Sequence, residues 1–259
     1  MVPNPIRKVL SLTRFYNVAS LLMGGQACVC YGAAEFSRDT DLAIFASPEN
    51  LGRLAGALRQ LRAKRIALPA FRQAHLEHGH AIHFRCHHQD VAGVRLDVMS
   101  VMRGLDAFPF LWERRTTMML ADAEAVDLLS LPDLVRAKKT QRDKDWPMIG
   151  RLLEAHYFEN RERPSNAKIQ FWLKELRTPE LIVEVAYTYP ELRAEAESSR
   201  PLLRLALDPA RLDELRTALL TEAEEEKQRD RIYWQPLKEE LEVMRHARHP
   251  EVDEFALTI

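Results

Sequence analysis

Cysteine is scarce: Cys28, Cys30 and Cys86 are the whole complement, an odd number, with two of them in one apolar stretch. A disulfide framework is not expected, and a reducing cytoplasm is the setting that fits. Long hydrophobic runs are missing too, so nothing in the chain is expected to span a bilayer. Met1 to Asn17 lacks the continuous apolar core of an export signal, because Pro3, Pro5, Arg7, Lys8 and Arg14 interrupt it. Internal repeats and low-complexity tracts are absent, which excludes a solenoid. Nor is there an excess of either charge: 37 Lys and Arg stand against 38 Asp and Glu, a formal net charge of −1. No global field draws the protein to nucleic acid or membrane, so any anion must be held by a local patch.

What is present is an ordinary water-compatible composition, 46% hydrophobic and 29% charged over 259 residues, enough for one large domain or two modest ones. The most informative stretch runs from Leu21 to Ala46. Leu21-Leu22-Met23 reads as a short strand, Gly24-Gly25 as a bend without side chains, and Gln26 to Tyr31 as a turn or two of helix. A helix N-terminus after such a bend offers free N–H groups to an anion. Asp39 and Asp41 then lead into the apolar run Leu42 to Ala46. In an extended chain their side chains point to one side with Cα atoms about 7 Å apart. Two such carboxylates repel unless a cation stands between them, and a hard divalent ion such as Mg²⁺ suits them.

Along the rest of the chain, Pro5 to Asn17 has helical spacing, and Ser47-Pro48 caps a helix running through Leu51, Leu54, Leu58 and Leu61. Ala81 to Cys86 and Val94 to Val101 are two expected strands, with Asp97 on the face opposite Val94, Leu96 and Val98. Strand-like pieces follow at Thr116 to Leu120 and Ala125 to Leu129, and Leu131-Pro132-Asp133 opens a helix. Val135 to Trp146 is basic; if it is helical, Lys138 and Arg142 lie one turn apart with Asp145 close below them. Beyond Trp146 the pattern is helical, ending in a charged segment from Pro209 to about Arg248 that Pro236 is expected to kink or split. Glu222, Glu224, Glu225 and Glu226 read as a solvated face, and Ile232, Tyr233 and Trp234 as an apolar anchor. The expected fold is α+β, a small mixed β-sheet core backed by helices over residues 1–163, then a helical C-terminal domain over 164–259.

Gly24-Gly25, a spacer, and Asp39-Thr40-Asp41 running into an apolar strand resemble the signature of the nucleotidyltransferase superfamily with the polymerase-beta-type fold. The pattern is similar to minimal nucleotidyltransferases and to AbiEii-like toxin nucleotidyltransferases. It departs from many members in placing Gln26 where small residues and serines are usual. The likeness covers roughly Leu21 to Leu153. It implies Mg²⁺, or Mn²⁺ in its place, held by Asp39, Asp41 and Asp97. It also implies a nucleoside triphosphate cradled by Gly24, Gly25, Ser37, Arg38, Lys138 and Arg142, with Asp145 orienting one of the two cations. The activity implied is transfer of a nucleoside monophosphate to a hydroxyl with release of pyrophosphate. Acceptors in such enzymes include a tRNA 3′ end, small molecules and proteins, and a toxin-like member would have an antitoxin partner. This chain shows no aromatic-interleaved basic surface of the kind that stacks single-stranded RNA, which weighs against tRNA.

Two readings of another class stay beside it. One is a catalytically silent nucleotide-binding or antitoxin-type module of the same fold. The other is a metal-storage or sensing protein built on His75, His78, His80, His83, His87 and His88 with Cys86. Their spacing matches no Cys/His framework, and histidines scattered over an exposed strand and its loops is the simpler account. Cys28 and Cys30 read as small buried hydrophobes.

Overall fold

A computed structural model describes residues 4–120, 125–247 and 253–255. Two compact units divide the chain, one of Met1–Ala137 with Ile232–Ile259 and one of Lys138–Arg231.

In the first unit, α1 (Asn4–Phe15) leads into β1 (Ser20–Met23), α2 (Gly24–Cys30) and β2 (Thr40–Ile44). Next come α3 (Pro48–Gln60), β3 (Lys64–Arg65), α4 (Gln73–His78) and β4 (Ile82–Arg85). The unit continues with β5 (Arg95–Met99), α5 (Phe108–Glu113), β6 (Thr116–Met119), β7 (Ala125–Leu128) and α6 (Leu131–Lys138), whose last residue opens the second unit. The strands form one mixed sheet in the order β3-β4-β5-β2-β1-β7-β6. β1 runs antiparallel to β2, while β2 runs parallel to β5, so the two acid-bearing strands lie side by side at the centre. The expected α+β class, with a small mixed sheet and helices, is what forms.

Alternation explains which face of the sheet is closed. On β5, Leu96 and Val98 are fully buried, whereas Arg95, Asp97 and Met99 face the other way and are only half-buried. Leu22, Leu42, Ile44, Ile82 and Phe84 complete the buried layer. Each large apolar side chain removed from water there stabilises by about 1.5–3 kcal/mol. The predicted cap of α3 forms, with Ser47 Oγ accepting from Asn50 N at 3.2 Å and Pro48 in the first turn. Asn50 itself, 3% exposed, accepts from Ala19 N and donates to Ala19 O and Phe45 O, tying the start of β1 and the end of β2 to α3.

The second unit is helical: α7 (Asp145–Asn160), α8 (Asn166–Glu175), α9 (Pro179–Thr188), α10 (Pro190–Glu197) and the first part of α11 (Leu212–His246). Pro164, the expected domain boundary, lies in the turn between α7 and α8. Trp172 is fully buried with Leu153, Leu173 and Ile182 around the α8 core. Buried Arg200 donates to the Leu173 and Leu176 carbonyls, satisfying the open end of α8, and pairs with Glu222.

Three expectations are corrected. α11 is one helix through Pro236, so the proline neither splits nor ends it. A proline removes one N–H from the ladder, and the 35-residue helix runs on past that gap. Glu222 is not on a solvated face: it is half-buried and takes both Arg177 and Arg200. Of the expected apolar anchor, Ile232 is 61% exposed, whereas Tyr233 lies against Gly79 together with Leu237. Among the described residues no helix is long and apolar enough to cross a membrane.

Candidate functional site

Asp41 and Asp97 are Cα partners on the adjacent parallel strands β2 and β5, which sets their side chains next to each other on one sheet face. Strand neighbours are about 4.8 Å apart, closer than the residues along either strand that share a face. Asp39, two residues before Asp41 in the bend that leads into β2, is exposed, and its charge acts on Arg95 of β5. Asp41 and Asp97 are thus neighbours across two strands, with Asp39 in the bend before one of them.

A resident cation answers them. Arg95, two residues before Asp97, donates from Nε to Asp97 Oδ1 at 2.8 Å. Its guanidinium is held firmly charged first by that bond, against the cost of burial, and then by the charges of Asp97, Asp39 and Asp41. Asp97 is pushed up by burial, but hydrogen bonds from His83 and Arg95 outweigh this and hold it below the usual carboxylate range. His83 lies opposite Asp97 on β4, with Nδ1 at 2.9 Å from Asp97 Oδ1 and 3.1 Å from Arg95 Nη2. One ring nitrogen cannot do both things: protonated it donates to Asp97, and unprotonated it accepts from Arg95.

The glycine bend closes on the same acids. Gly24 has φ +66°, and a Cβ there would fall 1.8 Å from Asp41 Oδ2. A Cβ on Gly25 would fall 2.4 Å from Ser37 Oγ. Neither position has room for a side chain, so the bend is the floor on which Asp41 and Ser37 rest. Gln26, the departure from the resembled pattern, is fully buried and donates from Nε2 to Ser37 O at 2.5 Å, holding the 37–39 turn over α2. Its Oε1 and the Thr40 Oγ1 on β2 are buried with no protein partner. Buried polar atoms without partners concentrate where a fold has been shaped for something other than stability. Arg38 is exposed beside them.

The donor set suits a hard divalent cation: three carboxylates, no sulfur, and a glycine floor that keeps one of them in position. Among the described residues, the group of three metal-ligating side chains with ligand atoms within 4.8 Å of one another is a different one, His78, His80 and Glu240. The aspartates do not draw in that far, and Arg95 is the cation that all three act on.

In the second unit, Asp145 opens α7 and is almost fully buried. It bonds Lys138 Nζ at 3.0 Å, Thr140 Oγ1 at 2.6 Å and Arg142 Nε at 2.8 Å. Burial raises its proton affinity, yet Lys138, Thr140 and Arg142 together hold it below the usual carboxylate range. It orients both cations rather than one, and Arg142 keeps more than half of its side chain in solvent.

Sequence reading missed Arg95 and His83. Arg95 was within reach, since it alternates with Asp97 on the same strand face; His83 needed the β4–β5 register. The histidine region is strand and loop only in part: His83 lies on β4 and His87 and His88 follow it, but His75 and His78 lie on α4, and His80 is 2% exposed. Cys28 is buried as expected, whereas Cys30 is only half-buried; Cys86 is buried too, and burial raises its thiol to about 11.

No family model matches the chain, and no curated protein matches it. Among solved structures it is similar to JHP933 from Helicobacter pylori, at 12% identity and TM-score 0.33 over 91% of this chain and 94% of that one.

Proposed function

We propose that the protein is a nucleotidyltransferase that moves a nucleoside monophosphate from a nucleoside triphosphate to a hydroxyl acceptor and releases pyrophosphate. The observation that carries this is the in-register pairing of Asp41 with Asp97, with Asp39 beside them, all acting on one guanidinium. The residues that would hold a divalent ion are these three aspartates. When bound, Mg²⁺, or Mn²⁺ in its place, supplies positive charge that neutralises phosphate oxygens.

Gly24 and Gly25 hold Asp41 and Ser37 in place, and their own N–H groups are the donors a phosphate would meet in this reading. Asp97 stays ionised at neutral pH and accepts the acceptor's hydroxyl proton, more readily once Arg95 has swung away from it. The freed acceptor oxygen forms its bond to the α-phosphorus as the bond to the β-phosphate oxygen breaks, and pyrophosphate leaves with that electron pair. In the second unit, Arg142 has N–H groups in solvent for an anion, steadied by Asp145. The acceptor in this reading is a tRNA 3′ end, a small-molecule hydroxyl or a protein hydroxyl, and a toxin role would bring an antitoxin partner. Three cysteines with no disulfide among them suit a reducing cytoplasm.

Pyrophosphate release from each of the four NTPs, with and without Mg²⁺, tests the reading. Wild type releases it with at least one NTP and Asp39→Ala does not; equal release from both removes the proposal. One observation favours the alternative of a silent binding module: the Arg95 bond already satisfies Asp97. In that case calorimetry detects Mg-ATP binding while no pyrophosphate forms.

A further inference from the structure

Outside the aspartate site, His78, His80 and Glu240 form a cluster whose parts come from distant stretches of the chain. His78 ends α4, Gly79 takes the left-handed conformation at φ +106°, and His80 follows at once. That turn brings two imidazoles separated by one residue to face the same way, with ring centroids 5.7 Å apart. Glu240, on the part of α11 that belongs to the same unit, reaches between them. Its Oε1 is 2.8 Å from His78 Nε2 and its Oε2 is 2.8 Å from His80 Nε2.

The geometry points to a binding site for a divalent transition-metal ion of the zinc class, with His78 Nε2, His80 Nε2 and the Glu240 carboxylate as ligands and a water in the fourth position. Two imidazoles and a carboxylate are the donor set for such an ion, and three protein ligands leave one position open. In a tetrahedral site with bonds of about 2.0–2.1 Å, neighbouring ligand atoms stand about 3.3–3.4 Å apart, so the two contacts need to open by about half an ångström. His78 and Glu240 are 59% and 40% exposed at their side chains and can make that adjustment, while His80, at 2%, is held by the fold.

The surroundings look built for a fixed imidazole. His75 Nδ1 donates to Ala70 O at 2.8 Å, and its ring stands edge-on to His80. His80 N donates to His75 O at 2.9 Å, which fixes the backbone that carries the ligand. The Tyr233 hydroxyl and Leu237, one turn before Glu240 on α11, lie against Gly79 and leave no freedom for a side chain there. A metal held here ties α11 to the corner between α4 and β4. Zinc is preferred to magnesium because imidazole nitrogen suits it better than it suits the harder ion. This site is independent of the aspartates, and of whether the protein transfers nucleotides.

The full chain, stripped with chelator and dialysed, is titrated with zinc in millimolar Mg²⁺, and separately with cobalt followed by its visible spectrum. The expected result is one zinc per chain and cobalt bands of a nitrogen- and oxygen-ligated tetrahedral ion. His78→Ala and Glu240→Gln weaken zinc binding by at least about tenfold, whereas Asp41→Asn does not. His78 is exposed, so its removal leaves the fold intact, which circular dichroism checks. Zinc affinity unchanged in both ligand variants, or no zinc bound by the wild type, would show that the cluster is a hydrogen-bonded latch and overturn the proposal.

Discussion

At Gly24 two constraints coincide. The backbone sits at φ +66°, where an L side chain costs about 1–2 kcal/mol, and a Cβ would overlap Asp41 Oδ2. Gly24→Ala is therefore expected to lower stability by at least that amount and to push the Asp41 carboxylate off its position; chemical denaturation reads the first effect and divalent-ion affinity the second. Asp97 gives a pH signature. Its folded pKa is depressed below the unfolded value of about 3.9, so its contribution to stability is present above about pH 4 and is lost as pH falls through the folded pKa. Asp97→Asn should flatten the acid limb of the stability curve, measured by urea unfolding between about pH 2 and 6. A variant with the same acid limb as wild type would show that the His83 and Arg95 bonds do not survive in solution.

Elements are held by a few buried polar side chains whose loss is felt along whole strands and helices. Asn50 makes three hydrogen bonds to the backbone of residues 19 and 45, so Asn50→Ala leaves buried N–H and C=O groups unpaired. The expected loss is about 2–4 kcal/mol, read as a lower denaturation midpoint with an unchanged slope. In the second unit, Asp145→Ala leaves Lys138, 10% exposed at its side chain, without its carboxylate, for an expected loss of about 3–5 kcal/mol in thermal unfolding. Much at this scale was legible beforehand. Alternation marked β5 and put Asp97 on the open face, and Ser47-Pro48 marked the start of α3, because both signals are local. What escaped was non-local. Glu222 looked solvated because nothing near it announces Arg177 or Arg200, and Glu240 lies 160 residues from His80. His83 joins Asp97 only through a strand register that turn residues do not specify.

For the molecule as a whole, the near balance of 37 basic and 38 acidic residues matters to any binding measurement. With a formal net charge of −1 there is no broad acidic field to collect divalent cations, so tight binding reports on a built site. The proposed activity requires the aspartates of β2 and β5 and of the turn between α2 and β2 to act as one cation site. Electron paramagnetic resonance of Mn²⁺ titrated into the full chain tests this most directly. Wild type and His78→Ala should bind the ion tightly and alike, and Asp41→Asn should lose that binding. Mn²⁺ affinity that is the same in Asp41→Asn as in wild type would contradict it.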